Sequence, residues 1–192
     1  MKKVVLMAIS VIFLISIGCV HQVAFQQPSL HQYGSTIPLK TAFHMDENLK
    51  AKMYSGRAAS SGVANRWDVP VGDTVNKYAI AYLKNGFTSF NEINTLSAQS
   101  DHEILIKIVD INYYMQGQAA HSDLTFVVEN SNGKELFNKK YHADGPSGYG
   151  RVLLAGAFAQ KSAIRQSTDA VMANIFISFM DDFRSNYSNW EL

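Results

Sequence analysis

The chain has 192 residues, 47% of them hydrophobic, which is enough for one folded domain with a sizeable core. Its formal net charge is +1, and a balance this close to neutral gives no electrostatic case for binding nucleic acid or an anionic membrane surface. There is one cysteine, which excludes an internal disulfide.

The N-terminal residues have the pattern of a signal peptide. Lys2 and Lys3 give a basic start, and an apolar run extends from Val4 to Ile17 before a glycine and Cys19. The run is shorter than the roughly 20 residues that a spanning helix needs, and this order is typical of a secretory signal. A cysteine directly after the small residue indicates a bacterial lipoprotein, so we predict cleavage after residue 18 and lipidation of Cys19. An ordinary signal or uncleaved anchor with an unreactive thiol is the alternative.

The segment Ser16-Ile17-Gly18-Cys19 resembles the lipobox of bacterial lipoproteins, with Ser16 where that class usually has Leu, Val or Ile. In that class an aspartate directly after the cysteine favours the inner membrane, so Val20 implies the periplasmic face of the outer membrane. Two or more acyl chains would hold the protein there stably. We predict a flexible tether over 19–35, which is rich in Gln, His and Ser, and a single periplasmic domain over 36–192.

The first half of the domain predicts a strand, a loop, a helix and a second strand. Apolar alternation indicates a strand over 36–44, and Ser and Gly indicate a long surface loop over 48–65. Asp73 is expected to cap the N-terminus of a helix, and Gly86 to end that helix in the left-handed conformation. A strand over 87–93 follows directly.

The middle of the domain predicts a central strand and a hairpin. Glu103–Tyr114 is apolar on both faces, as in a strand covered on both sides. Asn132-Gly133 is typical of a type I′ turn, so opposing residue numbers should sum to 265. This register puts apolar side chains at five of six inner positions, whereas a slip of one residue would scatter them.

The C-terminal part predicts a glycine-rich corner over 144–150, a small-residue run over 152–163 and a helix over 162–184. The element order is therefore β-α-β-β-β-β-α. We predict an α+β fold, with an antiparallel sheet of about four to five strands and two helices packed on one face.

This order resembles a group of small Gram-negative envelope lipoproteins, which includes the LptE-type lipopolysaccharide-assembly lipoproteins, the YajG-type lipoproteins and the auxiliary lipoproteins of ABC-type lipid transport systems. The matching features are the lipobox, Gly72-Asp73-Thr74 at the start of a helix, Leu83-Lys84-Asn85-Gly86-Phe87 between helix and strand, and the long sheet with a C-terminal helix. The resemblance is topological and carries no catalytic motif, so it implies a binding role and no site residues.

No catalytic constellation stands out, and we predict neither an enzyme nor a cofactor. The segment 145–151 lacks the Gly-Lys-Ser/Thr ending of a phosphate loop. Asp181 and Asp182 are adjacent on a helix and point about 100° apart, so they cannot act as a catalytic pair.

The histidines form no known metal motif. The predicted register places His142 opposite Asp123, with His121 near the same end of the hairpin. We interpret this group as a solvent-facing cross-strand pair, because a metal site needs a third donor. A small polar or metal-binding cluster is the alternative.

Two segments are candidate interaction surfaces. In the small-residue run, Leu153, Leu154 and Phe158 supply apolar area, although the same run is also typical of a buried helix. Tyr113 and Tyr114 are adjacent in a strand, so one of them must leave the core face unless a second layer covers it.

The sequence therefore predicts a lipid-anchored protein of the outer membrane that binds an envelope protein as an accessory of an assembly or transport system. The alternative is a periplasmic carrier with a lipid or other small apolar ligand between sheet and helices.

Overall fold

The computed structural model describes residues 20–57, 66–96, 101–147 and 149–190, with the backbone alone for 149–158. The elements in chain order are β1 (Val20–Gln22), β2 (Ile37–Met45), α1 (Glu47–Lys50), β3 (Tyr54–Gly56), β4 (Arg66–Val69), α2 (Val71–Leu83), β5 (Phe87–Glu92), β6 (Ile104–Gln116), β7 (Ala119–Asn130), β8 (Glu135–Asp144), α3 (Tyr149–Asn186) and a 3₁₀ turn (Tyr187–Asn189). The predicted α+β class is confirmed.

The main sheet has five strands in the order β5-β2-β6-β7-β8. It is mixed rather than wholly antiparallel, because β2 pairs in parallel with both β5 and β6. The crossover through α2 accounts for the pairing with β5, because it returns the chain to the edge of β2 in the same direction. A second sheet, in the order β1-β4-β3, was not expected, and it uses two short strands from the part of the chain predicted as tether and loop.

The core lies between the main sheet and α3, which contribute aromatic side chains from both sides. Phe126 on β7 stacks on Phe179 of α3 with ring centroids 4.2 Å apart, and Phe176 and Phe183 are also fully buried. Tyr82 of α2 lies against Phe176 at 5.9 Å, which joins the second long helix to the same core. Phe179 is therefore fully buried between α3 and the main sheet.

Strand β6 contains a bulge that changes the predicted faces. The register shifts between Ile108 and Asp110, so Val109 lies 46% exposed. Because one extra residue reverses the alternation, Ile111 and Tyr113 join the core face instead of opposing it. The expectation that both faces of this strand are covered along its length is therefore wrong beyond the bulge.

The β7–β8 register agrees with the predicted sum of 265 from His121 opposite Asp144 to Val128 opposite Phe137. The turn differs in detail, since Gly133 donates to the Asn130 carbonyl at 2.9 Å and has a φ of 78°. Next to the turn, Glu129 lies opposite Glu135, one residue out of the predicted register. The register shifts between Glu129 and Val128 and agrees with the prediction from Val128 to His121.

Helix α2 begins at Val71, with Pro70 rather than Asp73 at the N-cap position. Asp73 lies inside the helix and pairs with Lys77 at 2.7 Å. Gly86 does not have a positive φ, so its predicted left-handed role is wrong. A Cβ at Gly86 would lie 2.5 Å from the terminal methyl group of Met180 of α3, which can shift because it is the end of a flexible side chain.

The predicted flexible tether is wrong for residues 20–35. Strand β1 pairs with β4, and the Val23 amide donates to the Asp68 carbonyl at 2.9 Å. Val23 and Phe25 are buried, and the His31 ring stacks on Tyr82 at 4.8 Å. Packed structure is therefore present from Val20, the first of the described residues.

Candidate functional site

The candidate site is a group of polar side chains on the face of the main sheet that points away from α3. Residues two apart in a strand share a face, so His121 and Asp123 of β7 lie side by side. The register places Asp144 of β8 opposite His121, and His142 opposite Asp123. We call these four residues the His/Asp cluster.

The His/Asp cluster is a continuous chain of hydrogen-bonding contacts. His142 lies between two carboxylates, with Nδ1 2.8 Å from Asp123 Oδ1 and Nε2 2.9 Å from Asp144 Oδ1. The same Asp144 oxygen lies 2.5 Å from His121 Nδ1. One carboxylate oxygen therefore joins both imidazole rings.

Strand β6 supports the cluster from the other side of β7. Asn112 donates to Asp123 Oδ2 at 3.0 Å, which fixes the carboxylate that orients His142. Tyr114 lies opposite His121 and stacks on it, with ring centroids 4.8 Å apart and an interplanar angle of 9°. The side chains of His121 and Asp123 are mostly covered, at 15% and 21% exposed, whereas His142 and Asp144 are 49% and 62% exposed.

The proximity of opposite charges shifts the protonation equilibria in the expected directions. The hydrogen bond to Asp123, reinforced by Asp144, raises the pKa of His142 above its ordinary value. The hydrogen bond from His121, with that from His142, lowers the pKa of Asp144. Burial acts to raise the pKa of Asp123, but hydrogen bonds from Asn112 and His142 outweigh it, so that pKa is also lowered.

Three members of the cluster have the spacing of a metal-binding group. One ligand atom each from His121, His142 and Asp144 lies within 4.8 Å of the others. Sequence reasoning named the two histidines and Asp123 but missed Asp144. Asp144 could have been predicted as the third donor, because a register sum of 265 pairs residue 121 with residue 144.

A pocket of about 360 Å³ lies between the N-terminal segment, β4 and α2, and it shares no residue with the His/Asp cluster. Its lining is mainly apolar and includes Val23, Phe25 and Met53, with Lys77 and Asp73 among the polar groups. It is separate from the space between the main sheet and α3, which the aromatic core fills.

The two tyrosines of β6 point in opposite directions, as predicted. Tyr113 is 7% exposed and contacts Thr168 of α3 through its hydroxyl at 2.7 Å, whereas Tyr114 is 39% exposed. Leu153, Leu154 and Phe158 lie on the backbone of α3, but their side chains are outside the described part of the chain, as is Cys19. Of the predicted surface residues, only Tyr114 is therefore placed at the candidate site.

No protein-family model and no curated protein matches this chain. It is similar to a crystal structure of an uncharacterized protein, with 10% identity, coverage of 81% of this chain and 96% of that chain, and a TM-score of 0.44. It is also similar to the hypothetical protein CT253 from Chlamydia trachomatis, with 8% identity, coverage of 76% and 98%, and a TM-score of 0.39. Similarities this weak carry no argument about function.

None of the helices in the described part of the chain has the length and apolar character that a membrane crossing requires.

Proposed function

We propose that this protein is a lipid-anchored envelope lipoprotein that acts by binding a protein partner, as an accessory component of an assembly or transport system of the outer membrane. The proposal rests on the N-terminal sequence, which has a basic start, an apolar run and the Gly18-Cys19 pair. Strand β1 begins at Val20, the residue after this pair. Acyl chains on Cys19 would hold such a protein on the membrane.

The packing of the N-terminal segment adds a geometric constraint to this proposal. Because β1 begins at the residue after Cys19 and pairs with β4, the small sheet would lie at the membrane surface. A flexible tether would let the domain sample many distances from the membrane, whereas this attachment holds one end of it close. The protein is thus suited to a partner that is itself embedded in or bound to the same membrane.

The face of the main sheet opposite α3 is the favoured binding surface. Helix α3 covers the other face of this sheet, and Asp110, Asn112, Tyr114 and His142 are exposed on this one. Tyrosine is enriched at protein interfaces because it combines apolar area with a hydroxyl group. Tyr114 stacks on His121, and a side chain already placed by such a contact loses less conformational entropy when it binds a partner.

A lipid or small-molecule carrier is the second candidate. The pocket beside α2 is the observation that favours it, since its lining is mainly apolar and its volume falls in the range of small-ligand sites. Such a ligand would lie against the N-terminal segment rather than between the main sheet and helices.

The anchor is tested by Cys19→Ser, because neither thioether formation nor lipoprotein-specific cleavage can occur without the thiol. We expect loss of labelling by a palmitate analogue and accumulation of an uncut or soluble precursor. Wild-type size and outer-membrane fractionation of the variant would contradict the anchor.

The binding surface is tested by placing a photo-crosslinking residue at Tyr114 in cells. We expect a discrete adduct with one envelope protein, and no such adduct from the same residue at Ile177, which is similarly exposed on α3. Co-extracted lipid in the purified protein, with no adduct at Tyr114, would favour the carrier instead.

A further inference from the structure

We infer that the His/Asp cluster is a binding site for a divalent transition metal of the Zn²⁺ class, with His121, His142 and Asp144 as ligands. The inference is independent of the lipid anchor and of any protein partner. The third donor is Asp144, which the cross-strand pairing with His121 brings to the two histidines.

The donor set selects the class of metal. Two imidazole nitrogens and a carboxylate oxygen suit Zn²⁺ and its neighbours, whereas Mg²⁺ and Ca²⁺ prefer sites made of oxygen alone. Three protein ligands leave a fourth tetrahedral position for water or for a group from a partner. The exposed fractions of His142 and Asp144 keep that position accessible.

Metal binding would require side-chain movements of about 1.5 Å or less, since the ligand atoms of the two histidines lie within 4.8 Å of each other. Zn²⁺ bonds of about 2.0–2.2 Å place tetrahedral ligand atoms roughly 3.3 Å apart. Asp144 Oδ1 now lies 2.5 Å from His121 Nδ1 and 2.9 Å from His142 Nε2, so each contact would open by less than about 1 Å. The ion would replace the proton in each of the two hydrogen bonds that join Asp144 Oδ1 to the imidazole nitrogens.

The surrounding contacts match what a ligating histidine needs. Metal-bound imidazoles usually donate the other ring N–H to a carboxylate, which fixes the tautomer and raises the ligand's basicity. Asp123 occupies that position on Nδ1 of His142 and is itself held by Asn112. Tyr114 fixes the His121 ring by stacking. Asp123 is therefore a positioning residue rather than a ligand.

Zinc titration of the full chain tests this inference. The protein is purified in detergent without a polyhistidine tag, stripped with EDTA and titrated with Zn²⁺ by calorimetry. We expect one site per chain that Mg²⁺ and Ca²⁺ do not occupy. Asp144→Asn, His121→Ala and His142→Ala should each weaken Zn²⁺ binding by at least about 100-fold, since ligand loss should cost no less than the 10- to 100-fold expected for a supporting residue.

Two controls separate the cluster from other donors. His44→Asn alters a half-buried histidine of the same sheet that contacts the Ile93 carbonyl, and Cys19→Ser removes any free thiol. Both should retain wild-type affinity. Asp123→Asn should weaken Zn²⁺ binding by about 10- to 100-fold at a temperature where the metal-free variant remains folded, and Asp123→Glu should restore part of the affinity.

Asp144→Asn decides the test even where a histidine variant fails to fold, because it preserves shape at a side chain that is 62% exposed. Absence of a saturable Zn²⁺ site would overturn the inference. Unchanged affinity in Asp144→Asn, or an equal loss in His44→Asn or Cys19→Ser, would overturn it as well.

Discussion

At the scale of single residues, Phe179 is the side chain on which the core most depends. It is fully buried, stacks on Phe126 and meets Tyr141 edge-on with centroids 6.0 Å apart. It therefore joins α3 to two strands of the main sheet.

Replacing Phe179 with alanine should lower the free energy of unfolding by about 3–5 kcal/mol, from lost burial and the cavity left behind. That is a large share of the roughly 5–15 kcal/mol typical of a whole domain. Ile177→Ala is the matched control, because Ile177 lies two residues away on the same helix and is 37% exposed. Denaturant unfolding measures both, and equal small losses would show that the helix register is wrong.

Phe158 lies on the same helix backbone, outside the residues whose side chains are described. Phe158→Ala should destabilise the protein as Phe179→Ala does if the run 153–159 is buried. It should cost little stability and weaken function if that run is an interaction surface. The two melting temperatures, measured side by side, decide between these interpretations.

At the scale of elements, a polar contact joins the edge strand β8 to α3. Asp182 Oδ2 accepts from Lys139 Nζ at 2.5 Å and from the Tyr141 hydroxyl at 2.7 Å. Lys139 is the single polar residue at the six inner positions predicted for the hairpin. Its place there is explained by Asp182, which lies within reach of a strand at the sheet edge.

This contact predicts a pH dependence. The hydrogen bond from Lys139, with that from Tyr141, lowers the pKa of Asp182 below the ordinary 3.8 despite partial burial. A carboxyl group whose pKa is lower in the folded state stabilises the fold above its unfolded pKa, and that contribution is lost as pH falls through the folded value. Asp182→Asn should therefore lower the melting temperature near pH 6, and the difference from wild type should shrink below about pH 3.8.

The adjacent Asp181→Asn is the control for this prediction, because Asp181 is exposed one position along the same helix. It should change the melting temperature little at either pH. A difference between wild type and Asp182→Asn that persists unchanged into the acid range would exclude the carboxylate as its cause.

The elements that could be predicted from the sequence are those whose signal is local. The β7–β8 register was predictable because the alternation of Leu124, Phe126 and Val128 allows one pairing that buries all three. The bulge at Val109 was not, because a bulge leaves no distinctive local pattern in an apolar strand. The three residues of β1 were missed for a related reason, since a short strand is stabilised by its partner β4 more than by its own sequence.

The residues of the candidate site likewise differ in whether they could be predicted from the sequence. His142 opposite Asp123 followed from the predicted register, and the same register places Asp144 opposite His121. The supporting Asn112 could not be placed in this way, because it depends on the pairing of β6 with β7, whose register shifts at the bulge. Asp144 also lay inside the segment 144–150, which was predicted as a flexible corner, although the structure ends β8 at that residue.

At the scale of the whole molecule, the N-terminal segment and the two sheets form one packed unit. The segment contacts β4 through Val23 and α2 through His31, whose amide donates to the Ala81 carbonyl at 2.9 Å. The proposed anchor at Cys19 would therefore act on a domain whose position relative to the membrane is restricted by this packing. The proposed binding face around Tyr114 and the proposed metal site would then be presented in a limited range of orientations.

This view predicts that the segment 20–35 contributes to stability. Phe25 is 8% exposed and lines the pocket beside α2, so Phe25→Ala should lower the free energy of unfolding by about 3 kcal/mol. Leu30→Ala is the matched control from the same segment, because Leu30 is 41% exposed and should tolerate the change within about 0.5 kcal/mol. Denaturant unfolding of the purified full chain measures both. If Phe25→Ala were as stable as Leu30→Ala, the segment would be a flexible tether after all, and the restricted attachment of the domain to the membrane would have no basis.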